Sequence, residues 1–320
     1  MTYIFYLIFL LITELAYFKI ASHFNIIDKP NHRSSHSEIT IRGGGIIFPF
    51  TVLLWFTYFK FQYPLFVAGL VLISSVSFVD DISHFSKRWR LATHLLSILL
   101  VFLQLSLLSL NWFVIGSMMI FFIGVINAYN FMDGINGITG LYSLVALVTL
   151  LWINIYKVTF IDNSLLLSVI IGIVVFSFFN FRKKAVCFAG DVGSISMAFI
   201  ICFLLIKLIL QTADIRYILL LSVYGIDAVF TICLRLIKGE NIFLAHRFHL
   251  YQLLVNDFKY RHITVAVLYG IAQVSVNYLL IYTIKQNMYQ VLIVFIIILS
   301  ILYLILRFKT HRHQLYKTAK

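Results

Sequence analysis

The chain has 320 residues, 62% hydrophobic and only 12% charged, with a formal net charge of +13 and a mean hydropathy of +0.98. Soluble domains carry roughly 25% charged residues, so this composition excludes a water-soluble globular protein and points to an all-α polytopic membrane protein. Nucleic acid is not the expected partner of the positive charge, because the bases flank apolar runs instead of forming an aromatic-interleaved surface.

A bilayer core takes about 20 apolar residues per helix. Runs of that kind lie near 3–22, 44–59, 64–80, 91–110, 112–130, 138–156, 163–180, 194–211, 215–234, 263–284 and 289–307, giving about eleven transmembrane helices. The boundary at Leu110-Asn111-Trp112 is the weakest. The first run lacks a cationic leader and a small-residue cleavage site, so it reads as a retained helix. Of the 25 Lys and Arg, all but Lys60, Lys157, Lys207, Arg216 and Lys285 fall in connections after odd-numbered runs. The positive-inside rule then puts the N-terminus outside and the basic tail, 308–320, in the cytoplasm. The chain reads as a single transmembrane domain over 1–320, with cytoplasmic loops near 23–43, 81–90, 131–137, 181–193 and 235–262. Cys187, Cys202 and Cys233 lack metal-ligand spacing and read as packing residues.

The polar residues are confined to islands between these runs. Asp80 and Asp81 end the third run, followed by Lys87, Arg88 and Arg90. Adjacent acids at a membrane boundary can hold a divalent cation or accept a proton, and the bases can bind phosphate. Next come Asn127, Asn130 and Asp133, whose spacing puts them near one helix face, with Gly134, Asn136 and Gly137 following. Gly190-Asp191-Val-Gly193-Ser194 opens the eighth run. A small-residue turn there can present N–H groups and the helix dipole to a phosphate, with Asp191 placed for Mg²⁺; simple helix capping is the alternative. His246-Arg247-Phe-His249 in the last long connection suits pyrophosphate, with metal ligation as the other option. Inside the runs, Asp227 is expected to support the site from behind, paired with a base such as Arg235. Glu14 has no evident partner, His94 reads as a buried polar contact and Lys207 as a snorkelling side chain.

In this order, and with Asp28-Lys-Pro30-Asn-His-Arg33-Ser-Ser-His36 and Gly43-Gly44-Gly45 ahead of them, the islands resemble a known family. It is the polyprenyl-phosphate N-acetylhexosamine-1-phosphate transferases (glycosyltransferase family 4, phospho-N-acetylmuramoyl-pentapeptide transferase-like), and the O-antigen and capsule-initiating branch in particular. The resemblance implies transfer of N-acetylhexosamine 1-phosphate from a UDP-sugar to undecaprenyl phosphate, with release of UMP. It also implies Mg²⁺ (or Mn²⁺), a site facing the cytoplasm at a bacterial inner membrane, membrane lipid as surroundings, and room for a homodimer. It assigns Asp80, Asp81, Asp133 and Asp191 to catalysis, with Asp80 as base on the lipid phosphate. Asn127, Asn130, Asn136, Arg88, Arg90, His246, Arg247 and His249 would bind substrate, and Asp191 with Asn130 would bind metal. Asn136 departs from the pattern, standing where many bacterial members have Asp. A transporter or flippase with a cytoplasm-facing anion site is the alternative reading.

Overall fold

The helix α8 (Gly190–Thr212) is the axis of the molecule, in a computed structural model that describes residues 2–29, 38–59, 61–83, 86–242, 244, 246–283 and 286–318, with side chains to 308. Apolar on every face through its middle, α8 is enclosed there by other helices; 89% of its most apolar window is buried. Helices α2 (Ile47–Tyr58), α3 (Pro64–Ile82), α5 (Trp112–Met132) and α6 (Ile138–Tyr156) pack against it. Outside these lie α1 (Thr2–His23), α4 (Lys87–Gln104), α7 (Asn163–Asn180), α9 (Ser222–Ile237) and α11 (His262–Tyr282). A short α10 (Leu250–Asn256) sits in the last long connection. The peripheral α12 (Met288–Thr318) has only 11% of its most apolar window, within Met288–Phe308, buried.

All eleven expected runs are helical, and among the described residues nine helical stretches are long and apolar enough to cross a bilayer. The two exceptions have local causes. Helix α2 is short because a 3₁₀ turn at Gly44–Ile46 precedes it, and α4 opens on Lys87, Arg88 and Arg90. The expected 91–110 run is displaced to Lys87–Gln104, and a 3₁₀ turn over Leu107–Ser109 follows. Asn111 then starts α5 by accepting the N–H of Phe113 at 2.8 Å, so the weak boundary is a helix cap. The basic tail is not a loose extension, since α12 continues through it to Thr318.

Two strands interrupt the helices. β1 (Ile27–Asp28) pairs antiparallel with β2 (Thr40–Ile41), and Ile41 bridges to Cys187. The first and fourth loops, with six helices between them in the chain, are thus tied together by backbone: Phe188 donates to Ile41 O at 2.8 Å, Gly44 to Phe188 O at 2.8 Å and Gly45 to Ala189 O at 3.0 Å. Two glycines make this possible. Gly43 holds φ +76°, which an L side chain rarely adopts, and a Cβ on Gly45 would stand 2.2 Å from Gly193 Cα. Glu14, without a partner in sequence, is buried against this same junction with Oε1 3.8 Å from Cys187 Sγ. His94 is buried as expected. Lys207 reaches along its helix to set its ammonium 5.0 Å from the Tyr63 ring centre.

A methyl group at Gly45 must separate the first loop from the start of α8. Gly45→Ala is expected to destabilise the protein by about 1–3 kcal/mol, read as a lower Tm in detergent. Gly124→Ala, where nothing lies within 4 Å, should leave it unchanged.

Candidate active site

Asp80 and Asp81, adjacent in sequence, are given different surroundings. Successive residues on a helix point about 100° apart, and at the end of α3 this turns Asp81 inward to the start of α8. Its side chain is 0% exposed. Oδ1 accepts the backbone N–H of Asp191 at 2.9 Å and Oδ2 that of Val192 at 2.9 Å. Oδ1 also accepts from Arg42 Nε at 2.7 Å. The expected phosphate cradle at this helix start is therefore filled by the protein's own carboxylate, which satisfies the orphan N–H groups and the dipole. Gly190, at φ +72°, lets the acid approach, since a Cβ there would lie 2.6 Å from Asp81 Oδ2. Capping is the outcome, but by Asp81 and not by Asp191 or Ser194.

That contact aims Asp191 outward, between two arginines. Arg90 Nη2 lies 3.3 Å from its Oδ2 and Arg42 Nη2 lies 3.9 Å from its Oδ1. Arg90 also donates through Nη1 to Asp80 Oδ2 at 2.6 Å. Asn130, on the last turn of α5, donates to Asp191 Oδ1 at 2.9 Å. Asp80, Asp81, Asn130, Asp191, Arg42 and Arg90 thus form one charged cluster at one end of the bundle. No group of three or more His, Cys, Asp or Glu able to cage a metal is found among the described residues.

Beside the cluster is a cavity of about 230 Å³ to which four of the five loops on this side contribute. Asp28 and Arg42 come from the first connection, Asn130 to Asn136 from the third, Asn180 and Phe188 to Asp191 from the fourth, and Gln252 and His262 from the last. Staples hold these loops in register. Asn180 accepts from Gly137 N at 2.7 Å and donates to Cys187 O at 2.8 Å, and Tyr251 donates to Phe131 O at 2.8 Å. Asp133 lines the cavity and accepts from Thr139 Oγ1 at 2.6 Å. Burial, reinforced by the Asp191 and Asp81 carboxylates, pushes its pKa from 3.8 to about 7, although Thr139 and Arg42 pull the other way. Asn136 is not positioned as an acid's substitute. Its Nδ2 donates to the carbonyls of Arg182 at 3.0 Å and Lys183 at 3.4 Å, a contact a carboxylate could not make, while Oδ1 is buried without a partner.

The His246–His249 segment lies next to the cavity, against Phe131. His249, 2% exposed, has Nδ1 3.4 Å from Asp227 Oδ1. The expected Asp227–Arg235 pair does not form. Asp227 instead takes Tyr269 Oη at 2.6 Å and Leu250 N at 3.0 Å. Arg235 turns to Glu240 at 3.0 Å and to the carbonyls of Asn241 and Ile242. Burial, with His249 and Arg235 nearby, lowers the His246 pKa to about 4, so this ring is neutral at physiological pH. Arg247 is half-buried in the same segment.

Two predicted substrate residues stay apart. Asn127 is exposed on α5, since its face turns past the Asn130–Asp133 direction, and Arg88 is exposed on the first turn of α4. The Pro30–Ser37 part of the first-loop motif lies outside the described residues. In the other direction, Arg42, Asp28, Asn180, Gln252 and His262 were not singled out by sequence as site residues. Arg42 had a readable sign, standing directly before three glycines. Burial works against its charge, but Asp81, Asp191 and Asp28 outweigh this and raise its pKa.

Residues 63–209, from α3 to the end of α8, match the family model described as glycosyl transferase family 4. This stretch holds Asp80, Asp81, Arg90, Asn130, Asp133 and Asp191. No curated protein matches the chain.

The raised Asp133 pKa has a signed consequence. Between 3.8 and about 7 the folded protein keeps a proton that the unfolded chain has lost, so this group's contribution falls as pH rises through that window. Thermal unfolding of the ligand-free protein, compared with Asp133→Asn, should show the wild type losing Tm relative to the variant from about pH 4 to about pH 7. Parallel profiles would remove the assignment.

Proposed function

We propose that the chain, which matches the glycosyl transferase family 4 model over residues 63–209, is a polyprenyl-phosphate sugar-phosphate transferase that moves N-acetylhexosamine 1-phosphate from a UDP-sugar to undecaprenyl phosphate. The observation that supports this best is the convergence around Asp191 of an acid pair, two arginines and an amide from the first three loops, beside a cavity lined from the first, third, fourth and last loops. Such a mixture suits two phosphorylated substrates that repel each other until their charge is neutralised.

In this reading the nucleotide diphosphate occupies the cavity and the lipid phosphate enters on the Asp80–Arg90 side. An acceptor phosphate oxygen attacks the β-phosphorus of the donor. The bond from that phosphorus to the α,β-bridging oxygen breaks, and UMP leaves with that oxygen and its electron pair. Asp80 takes any proton the acceptor phosphate still carries, while Arg90 holds Asp80 and an acceptor oxygen together. Asp81 keeps Asp191 aimed at the junction, and the neutral His246 with Arg247 and the anchored His249 close the site from the last loop. The donor set fits Mg²⁺ (or Mn²⁺), which takes one or two carboxylates plus substrate phosphate and needs no protein cage: Asp191 would hold it, Asn130 would join it only with its amide turned so that Oδ1 replaces the Nδ2 that now donates to Asp191, and the ion would supply charge neutralisation to the phosphates.

The distribution of bases supports an outside N-terminus and a cytoplasmic site, where nucleotide sugars are made. Resemblance to initiating enzymes of O-antigen and capsule supports a place at a bacterial inner membrane, at the first step of an envelope polysaccharide. A transporter fits less well, because its charges belong near mid-bilayer between matching half-repeats, and here they gather at one end of the bundle.

Membranes given labelled UDP-N-acetylhexosamines, polyprenyl phosphate and Mg²⁺ are expected to form a labelled lipid diphospho-sugar and UMP. Asp191→Asn should lower kcat by at least about 10³-fold with Tm retained. Normal turnover in the variant would refute its role, and no lipid product from any donor would refute the reaction.

A further inference from the structure

We infer that Arg42 is the donor-side phosphate ligand of the site, with Arg90 serving the acceptor side. The two arginines flank opposite oxygens of Asp191, but their other contacts divide them. Arg90 is tied to Asp80, outside the cavity wall, whereas Arg42 lines the cavity. Among the described lining residues Arg42 is the only Lys or Arg, facing Asp28, Asp133 and Asp191. A diphosphate entering a chamber with three acids needs a cation there, and the geometry offers this one.

Arg42 is also held in advance. Its N–H donates to Ile26 O at 3.1 Å, its carbonyl accepts Tyr17 Oη at 2.6 Å, and Gly43 turns the chain immediately after it. Asp81 fixes Nε at 2.7 Å. Nη2 stands 3.9 Å from Asp191, too far for a hydrogen bond. A guanidinium has five N–H donors in a rigid fork, so fixing it at Nε leaves its terminal nitrogens for a phosphate oxygen. Asp81 therefore orients both partners of the chemistry, Asp191 through the helix start and Arg42 through its side chain.

This role rests on the donor being a uridine diphosphate sugar, and the test separates the two. Arg42→Lys keeps a cation near Asp81 but loses the fork; Arg42→Ala loses both. Purified protein would be titrated with UMP by calorimetry, and initial rates measured against each substrate in turn. For Arg42→Lys, UMP affinity should fall about tenfold or more, the loss of one charge-assisted hydrogen bond. KM for the UDP-sugar should rise in step, and KM for polyprenyl phosphate should stay unchanged. Arg90→Lys should give the reverse pattern. If Arg42→Ala does not fold, the lysine variant, checked by Tm, decides alone. Unchanged UMP affinity in Arg42→Lys, or a defect confined to polyprenyl phosphate, overturns the inference while the proposed reaction stands. A wild type that binds no UMP overturns the donor reading and Arg42's role together.

Discussion

One carboxylate organises this end of the molecule. Asp81 closes the start of the central helix by taking two of its backbone N–H groups, and one of the same oxygens holds Arg42. At a helix start buried in the bundle those N–H groups have no water to turn to, so an acid there is a structural necessity. The consequence is directional. Once α8 is fixed by its first turn, Asp191 points out of the bundle toward Asn130 and Arg90, and the loops that must reach it have a fixed target.

The charges around Asp191 make sense only together. Acids and arginines at a membrane boundary stabilise each other while no ligand is present, and the phosphate substrates proposed above would draw on the donors that the acids leave unused. Arg42 and Arg90 are held by Asp81 and Asp80, each with donors left over for an anion. Each arginine is anchored through one nitrogen to an acid of the Asp80–Asp81 pair, an arrangement that would suit the two anionic substrates proposed above.

A second support stands behind the last loop. Asp227, inside α9, holds Leu250 N–H and the Tyr269 hydroxyl and faces His249, so a short segment far from any strand is fixed to the bundle. Asn180, Tyr251 and the Ile41–Cys187 bridge do the same between the other loops. Loops in a membrane protein have little sequence with which to make a core of their own; here backbone carbonyls and buried amides do that work.

Sequence alone determined the class, the helices and the islands. Apolar runs of bilayer length allow one solution for the backbone, and polar residues that cannot lie in lipid must collect at its edges, so Asp80, Asp133, Asp191 and His249 declare themselves by position. What it could not determine is which atoms meet. Asp80 and Asp81 look alike until the turn of α3 sends one inward. Arg42 looks like any inside-positive base until a glycine run folds it onto Asp81. Asn127 shares its neighbours' spacing and yet faces away, and Asp227 takes a histidine and a tyrosine where an arginine was expected. Hydropathy is a property of each residue and is written in the chain; partnership depends on distances between segments up to 173 residues apart, and only packing around α8 sets those.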